Sequence, residues 1–167
     1  MESIFFLVVA AVTVLASILV VTCKNPINSA LSLVMTFFCL ATFYVMLDAP
    51  FMAAIQVIVY AGAIMVLIIF VIMLLNVKAE TGKRGTHAIM AGSAVGLFTL
   101  FITCWFLIKG SMSGMTGDMT KEQIISYGHV ELIGKALFTD FLLPFEITSL
   151  LLLAAIVGSV ILAKKNI

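Results

Sequence analysis

The sequence predicts an all-α membrane protein with five transmembrane helices, and three observations lead there. The composition is 63% hydrophobic and only 10% charged, with a mean hydropathy of +1.28. Several separate apolar runs reach the ~20 residues that a helix needs to cross a bilayer. Between them lie polar breaks bearing proline, glycine or lysine, which punctuate helices. At 167 residues the chain fits one polytopic domain over 1–167. Nine cations against eight anions, scattered over loops and tail, form no nucleic-acid patch. Cys23, Cys39 and Cys104 sit in three different apolar runs without metal or disulfide spacing, so they read as small buried hydrophobes.

Helix 1 is expected over about 3–23, with only Ser and Thr as polar residues, which can bond back to their own helix. The opening Met-Glu-Ser-Ile lacks the positive start of a signal peptide. Thr22 suits a lipoprotein cleavage box poorly, so the run is read as a mature span. Lys24-Asn25-Pro26 ends it, because proline pushes its predecessor out of the α region and fits the first turn of a new helix. Helix 2 follows over 26–47, and so short a link makes the two antiparallel neighbours.

Asp48-Ala49-Pro50 punctuates again, and helix 3 runs over 51–76, free of any Asp, Glu, Lys, Arg or His. Within it stand Gln56, Tyr60 and Gly62. Glycine costs a helix about 1 kcal/mol relative to alanine, and a buried phenol needs a partner. A Tyr60-Ala61-Gly62 inside an aliphatic helix is therefore read in two ways: as a close-packing point where Tyr60 bonds a carbonyl, or as a π-bulge, a one-residue widening that frequently marks functional sites. A bulge that forms and dissolves would turn the downstream half, Ile64 to Leu75, and make the helix a two-state element.

A water-side loop is expected over 78–86. Helix 4 occupies 87–108, with Gly92 and Gly96 in a small-xxx-small pattern and Trp105 marking an interface. The outer loop, 109–142, is rich in glycine, with a short helix expected over 121–126 and an interfacial stretch over 130–141. Helix 5 covers 143–163, opening on Pro144-Phe145-Glu146. Five spans place the termini on opposite sides. Lys24, Lys78, Lys83, Arg84, Lys164 and Lys165 share one side, which the positive-inside rule puts in the cytoplasm with the C-terminus; the N-terminus and long loop then lie outside.

Ionisable groups inside a bilayer are functional candidates. Asp48 and His87 fall at helix ends. Glu146 is the one carboxylate at the hydrocarbon edge, read either as a helix-N-terminus acid or as a proton-path or subunit-contact group. Without a chain of such groups this chain alone moves no protons. His87 and His129 lack metal-ligand spacing, and no phosphate loop or catalytic constellation is present.

The stretch QVIVYAGAIMVLIIFVIMLLN, Gln56 to Asn76, closely resembles the third helix of the J subunit (mitochondrial subunit 6) of proton-pumping NADH:quinone oxidoreductase, respiratory complex I. Asn25-Pro26 with Ser29-Ala30-Leu31, and Pro144-Phe145-Glu146 with Leu151-Leu152-Leu153-Ala154, resemble its flanking signatures. The resemblance covers helices 2, 3 and 5; helix 4 and the outer loop match in character only. It implies a five-helix subunit with no catalytic, cofactor-binding or metal residue of its own, in a complex using NADH, FMN, iron–sulfur clusters and quinone. Implied neighbours are the quinone-site subunit, the small K-type subunit and the antiporter-like subunits, in a bacterial inner membrane. It also implies a coupling π-bulge around Tyr60, Ala61, Gly62, Ala63 and Val66. Some members carry Glu at the position of Gln56, so a hydrogen-bonding role rather than proton carriage is implied there. The competing expectation is a membrane subunit of a multi-chain cation/proton antiporter or membrane-bound hydrogenase.

Overall fold

The computed structural model describes residues 2–75, 86–110 and 127–164. Six helices are found there: α1 (Glu2–Thr22), α2 (Pro26–Met46), α3 (Pro50–Leu75), α4 (Thr86–Lys109), α5 (His129–Phe138) and α6 (Leu142–Ala163). All but α5 are long and apolar enough to span a membrane. No strand occurs among the described residues. Of the expected loop over 78–86, only Thr86 is described, and it opens α4; the rest of that loop, the helix expected over 121–126 and the end of the tail fall outside the described residues.

The α1–α2 turn is built as its sequence suggests. The Asn25 side chain accepts from the Ile27 amide at 2.9 Å, capping α2, and Pro26 takes the first helical position. The Ser29 hydroxyl donates to the Val20 carbonyl in the last turn of α1 and fastens the two helices together. Eight other hydroxyls, from Thr13 to Thr103, bond the carbonyl four residues back, so each is satisfied within its own helix.

At its far end α2 closes with a Schellman motif: the Asp48 amide donates to Val45 and the Ala49 amide to Tyr44. The motif needs a left-handed residue, and Asp48 supplies it at φ 56°. Asp tolerates that region better than most side chains do. Pro50 then starts α3, which returns along α2.

Helix α2 is the hub. It packs against α1 on one side and against the whole length of α3 on the other. The buried residues are mostly small (Ala16, Ala30, Cys39, Ala41, Ala53 and Ala61), which lets the backbones approach closely. Phe6 meets Phe43 across the α1–α2 interface, and Phe37 meets Tyr60 across α2–α3.

The rest is looser. The expected outer loop holds the helix α5, with Leu132, Ile133, Ala136 and Leu137 half-buried and Glu131 and Lys135 exposed one turn apart. It packs on α6 and on the start of α3, and Phe138 stacks on Phe145 at 5.0 Å. Helix α6 starts at Leu142, so Pro144 is its third residue and Glu146 its fifth. Helix α4 contacts no other helix among the described residues. Its Trp105 carries Lys109 over the ring at 4.9 Å, a pairing suited to a membrane interface.

Candidate functional site

Helix α3 is not one uniform helix. Pro50–Ile55 is α-helical, Gln56–Ile64 is π-helical, and Met65–Leu75 is α-helical again. The hydrogen bonds report the change. The Gln56 amide still reaches back to Met52 and Ala53, whereas the Met65 amide donates to Tyr60, five residues back. The widening thus begins at Gln56, earlier than the resemblance implied, and it encloses Tyr60, Ala61, Gly62 and Ala63. Val66 lies beyond it, in the second α-helical part.

The consequence shows in which residues are buried. Ala53, Gln56, Ala61 and Met65 are the buried positions of α3, spaced three, five and four apart. At the 100° per residue of an α-helix, Ala61 and Met65 would lie about 80° and about 120° around from Ala53. One inserted residue removes that drift and returns both to within about 20°. The π segment therefore re-aims the downstream half so that Ala61 and Met65, the latter only 2% exposed, face α2.

Tyr60 in turn lies at the edge of the seam. It is 45% exposed, and its ring lies edge-on to Phe37 with centroids 6.0 Å apart. Its hydroxyl has no hydrogen bond among the described residues. Gly62, Ala63 and Val66 are exposed on the side away from α2. A Cβ placed on Gly62 would stand 3.1 Å from the Val57 carbonyl oxygen, tighter than ordinary contact. Glycine fits the widened turn because it brings no atom there.

Gln56 is 93% buried, at 7% exposure, with the similarly buried Thr36 on the helix it packs against. The Thr36 hydroxyl is spent on the Ser32 carbonyl at 3.0 Å, and the Gln56 amide makes no hydrogen bond among the described residues. A neutral amide can lie in such a place at modest cost; a carboxylate could not without a partner. Glu146 is not part of this cluster. It stands exposed on α6, which among the described residues packs only on α5, and no ion pair reaches it there. Met65 and Ala53 belong to the seam although nothing in the apolar run distinguishes them. The five-residue step, once the π segment is known, identifies Met65.

No group of three metal-ligating side chains occurs among the described residues. The fold and site define a multi-pass helical membrane protein built around one interrupted span. The comparisons name its kind. Residues 16–162 match the family described as NADH-ubiquinone/plastoquinone oxidoreductase chain 6, and the chain belongs to that family. The chain is 36% identical over 170 residues to the NAD(P)H-quinone oxidoreductase chain 6 of Synechocystis sp., covering 99% of this chain and 82% of the relative. It is 42% identical over 144 residues to the chloroplastic NAD(P)H-quinone oxidoreductase subunit 6 of Staurastrum punctulatum, covering 84% and 78%. Similarity is as extensive to the F(420)H(2) dehydrogenase subunit J of Methanosarcina mazei, 37% identical over 164 residues, covering 98% and 92%.

Proposed function

We propose that this chain is a coupling subunit of a redox-driven proton pump. It would carry no redox centre itself and would transmit quinone reduction to proton translocation through α3. Membership of a membrane quinone-oxidoreductase family supports the setting. The observation that carries the mechanism is the re-phased seam: one widened turn decides whether Ala61 and Met65 or their neighbours face α2.

If the π segment relaxed to α, the part beyond it would rotate by about 100°. Tyr60 and Ile64 would swing onto the α2 seam, and Met65 would leave it. Such an exchange is two-state because the packed seam accepts either register but few angles between them. A polar phenol entering or leaving an apolar path changes whether water can fill it. The serine and threonine hydroxyls of α2 are already bonded to backbone carbonyls, and α3 offers Gln56 and Tyr60 as its polar side chains to organise such a path.

In this reading the complex draws on NADH, FMN, iron–sulfur clusters and quinone held by other subunits. Its neighbours are the quinone-site subunit, the small K-type subunit and the antiporter-like subunits. The complex lies in a bacterial inner membrane, with the C-terminus cytoplasmic. The F(420)H(2) dehydrogenase relative supports treating the electron donor as a property of the other subunits.

The test is Gly62→Leu in the intact complex. A Cβ there would stand 3.1 Å from the Val57 carbonyl oxygen, so the widened turn must give by a few tenths of an ångström to admit a leucine. Donor:quinone turnover and proton pumping should fall by about tenfold or more while the amount of assembled complex changes little. Normal pumping by a fully assembled Gly62→Leu complex would overturn the proposal.

A further inference from the structure

Glu146 poses a problem that the described residues of this chain do not solve. It is the fifth residue of α6, about 6 Å along the helix from Leu142 at 1.5 Å per residue. The favourable field of a helix N-terminus fades within the first turn, so the start of α6 does little for a charge placed there. The Ser149 hydroxyl bonds the Glu146 main-chain carbonyl at 2.7 Å, not its carboxylate, and the Thr148 hydroxyl is taken by Pro144. No donor within the described residues reaches the carboxylate.

The depth of the residue is marked independently. Helix α5 has the amphipathic pattern of a segment lying along the membrane surface, with Glu131 and Lys135 outward. Its Phe138 stacks on Phe145, so α5 meets α6 at the residue just before Glu146. A glutamate has only two methylenes with which to reach back to water, unlike the long stems of Lys and Arg. Below it on the same face of α6 follow Leu150, Leu153 and Val157, within about 40° of Glu146 and 65%, 58% and 49% exposed. A carboxylate at the head of an aliphatic stripe is costly against lipid and favourable against a cation.

We infer that Glu146 pairs with a Lys, Arg or protonated His on a membrane helix of a neighbouring subunit, which packs along Leu150, Leu153 and Val157. The pair acts as the polar lock of that interface. The inference rests on the chain's belonging to a multi-subunit membrane oxidoreductase, but not on any α/π exchange in α3. Its test reads assembly, whereas the test of the exchange reads pumping by an assembled complex.

In the intact complex, Glu146→Lys should set two cations against each other and reduce assembled complex on mild-detergent native gels by about tenfold or more. Glu146→Asp, which keeps the charge, should stay within about twofold of the parent. A photo-crosslinking residue in place of Leu150, with Glu146 intact, should give an adduct with one copurifying membrane subunit. Changing that subunit's facing cation to Glu should restore assembly of Glu146→Lys. Normal assembly of Glu146→Lys overturns the inference, as do crosslinks to lipid alone or a charge swap that restores nothing.

Discussion

At Gly62 a single missing carbon decides what the backbone can do. The 3.1 Å gap to the Val57 carbonyl is narrow enough to disfavour any side chain and wide enough for hydrogen. Gly62→Ala should therefore be a graded version of Gly62→Leu: assembly near normal and turnover reduced severalfold, read as donor:quinone activity per assembled complex. Ser29 offers a residue-scale control away from this site. Ser29→Ala deprives the Val20 carbonyl of its partner in the α1–α2 turn, and the detergent-solubilised chain should lose about 1 kcal/mol of stability. A circular-dichroism melt of the two chains measures it, and pumping per assembled complex should be unchanged. Tyr60, Gly62 and Gln56 could be picked out from the sequence because each is chemically out of place in an aliphatic run. Met65 could not, since its burial depends on phase rather than on residue type.

At the scale of the element, α3 shows which information a sequence holds. The proline before it, its length and its lack of charge fix a span beginning near Pro50. They do not fix the register of its second half, because α and π helices are made from the same residues and differ by one hydrogen-bond step. Glycine within the run signals a disturbance without giving its extent, which is why the widening starts at Gln56 rather than at Tyr60. Deleting Ala63 should remove the extra residue and hold Met65 on the α2 side in an unbroken α-helix. The expected outcome is an assembled complex with pumping abolished, together with a density map showing α3 continuous. If that deletion pumps normally, the extra residue has no working role. The glutamate of α6 teaches the same lesson at a helix end. Pro144 reads as a start signal, yet the helix begins two residues earlier and leaves Glu146 beyond the reach of the first-turn dipole.

For the molecule as a whole, the three N-terminal helices form a packed sheet of rods, while among the described residues α4 contacts no other helix and α6 touches only α5. Helices apolar all round require lipid or other protein on every side. The number of spans was readable from hydropathy and proline alone. How α4 and α6 are placed was not, because among the described residues α4 contacts no other helix and α6 only the short α5. Thiol labelling makes the point measurable. Cys39 is buried between helices of this chain, while Cys104 is exposed on α4. A membrane-permeable maleimide should label Cys104 at least about tenfold faster than Cys39 in the isolated, detergent-solubilised chain, since local opening governs access to a buried thiol. In the assembled complex Cys104 should become protected if α4 is covered by protein, and mass spectrometry of the two peptides reads both rates.

The surface on which α3 rests deserves a mechanical description. Where α2 and α3 meet, the buried residues are alanines, one cysteine, a threonine, a glutamine and an unbranched methionine, with no valine, leucine or isoleucine knob to interlock. A rod lying on such a smooth track can roll without lifting its neighbour, so friction against turning is small. Roughening the track with Ala61→Ile should act as a brake: turnover would slow and grow steeper with temperature, although every charge and hydrogen bond in the chain stays as it was.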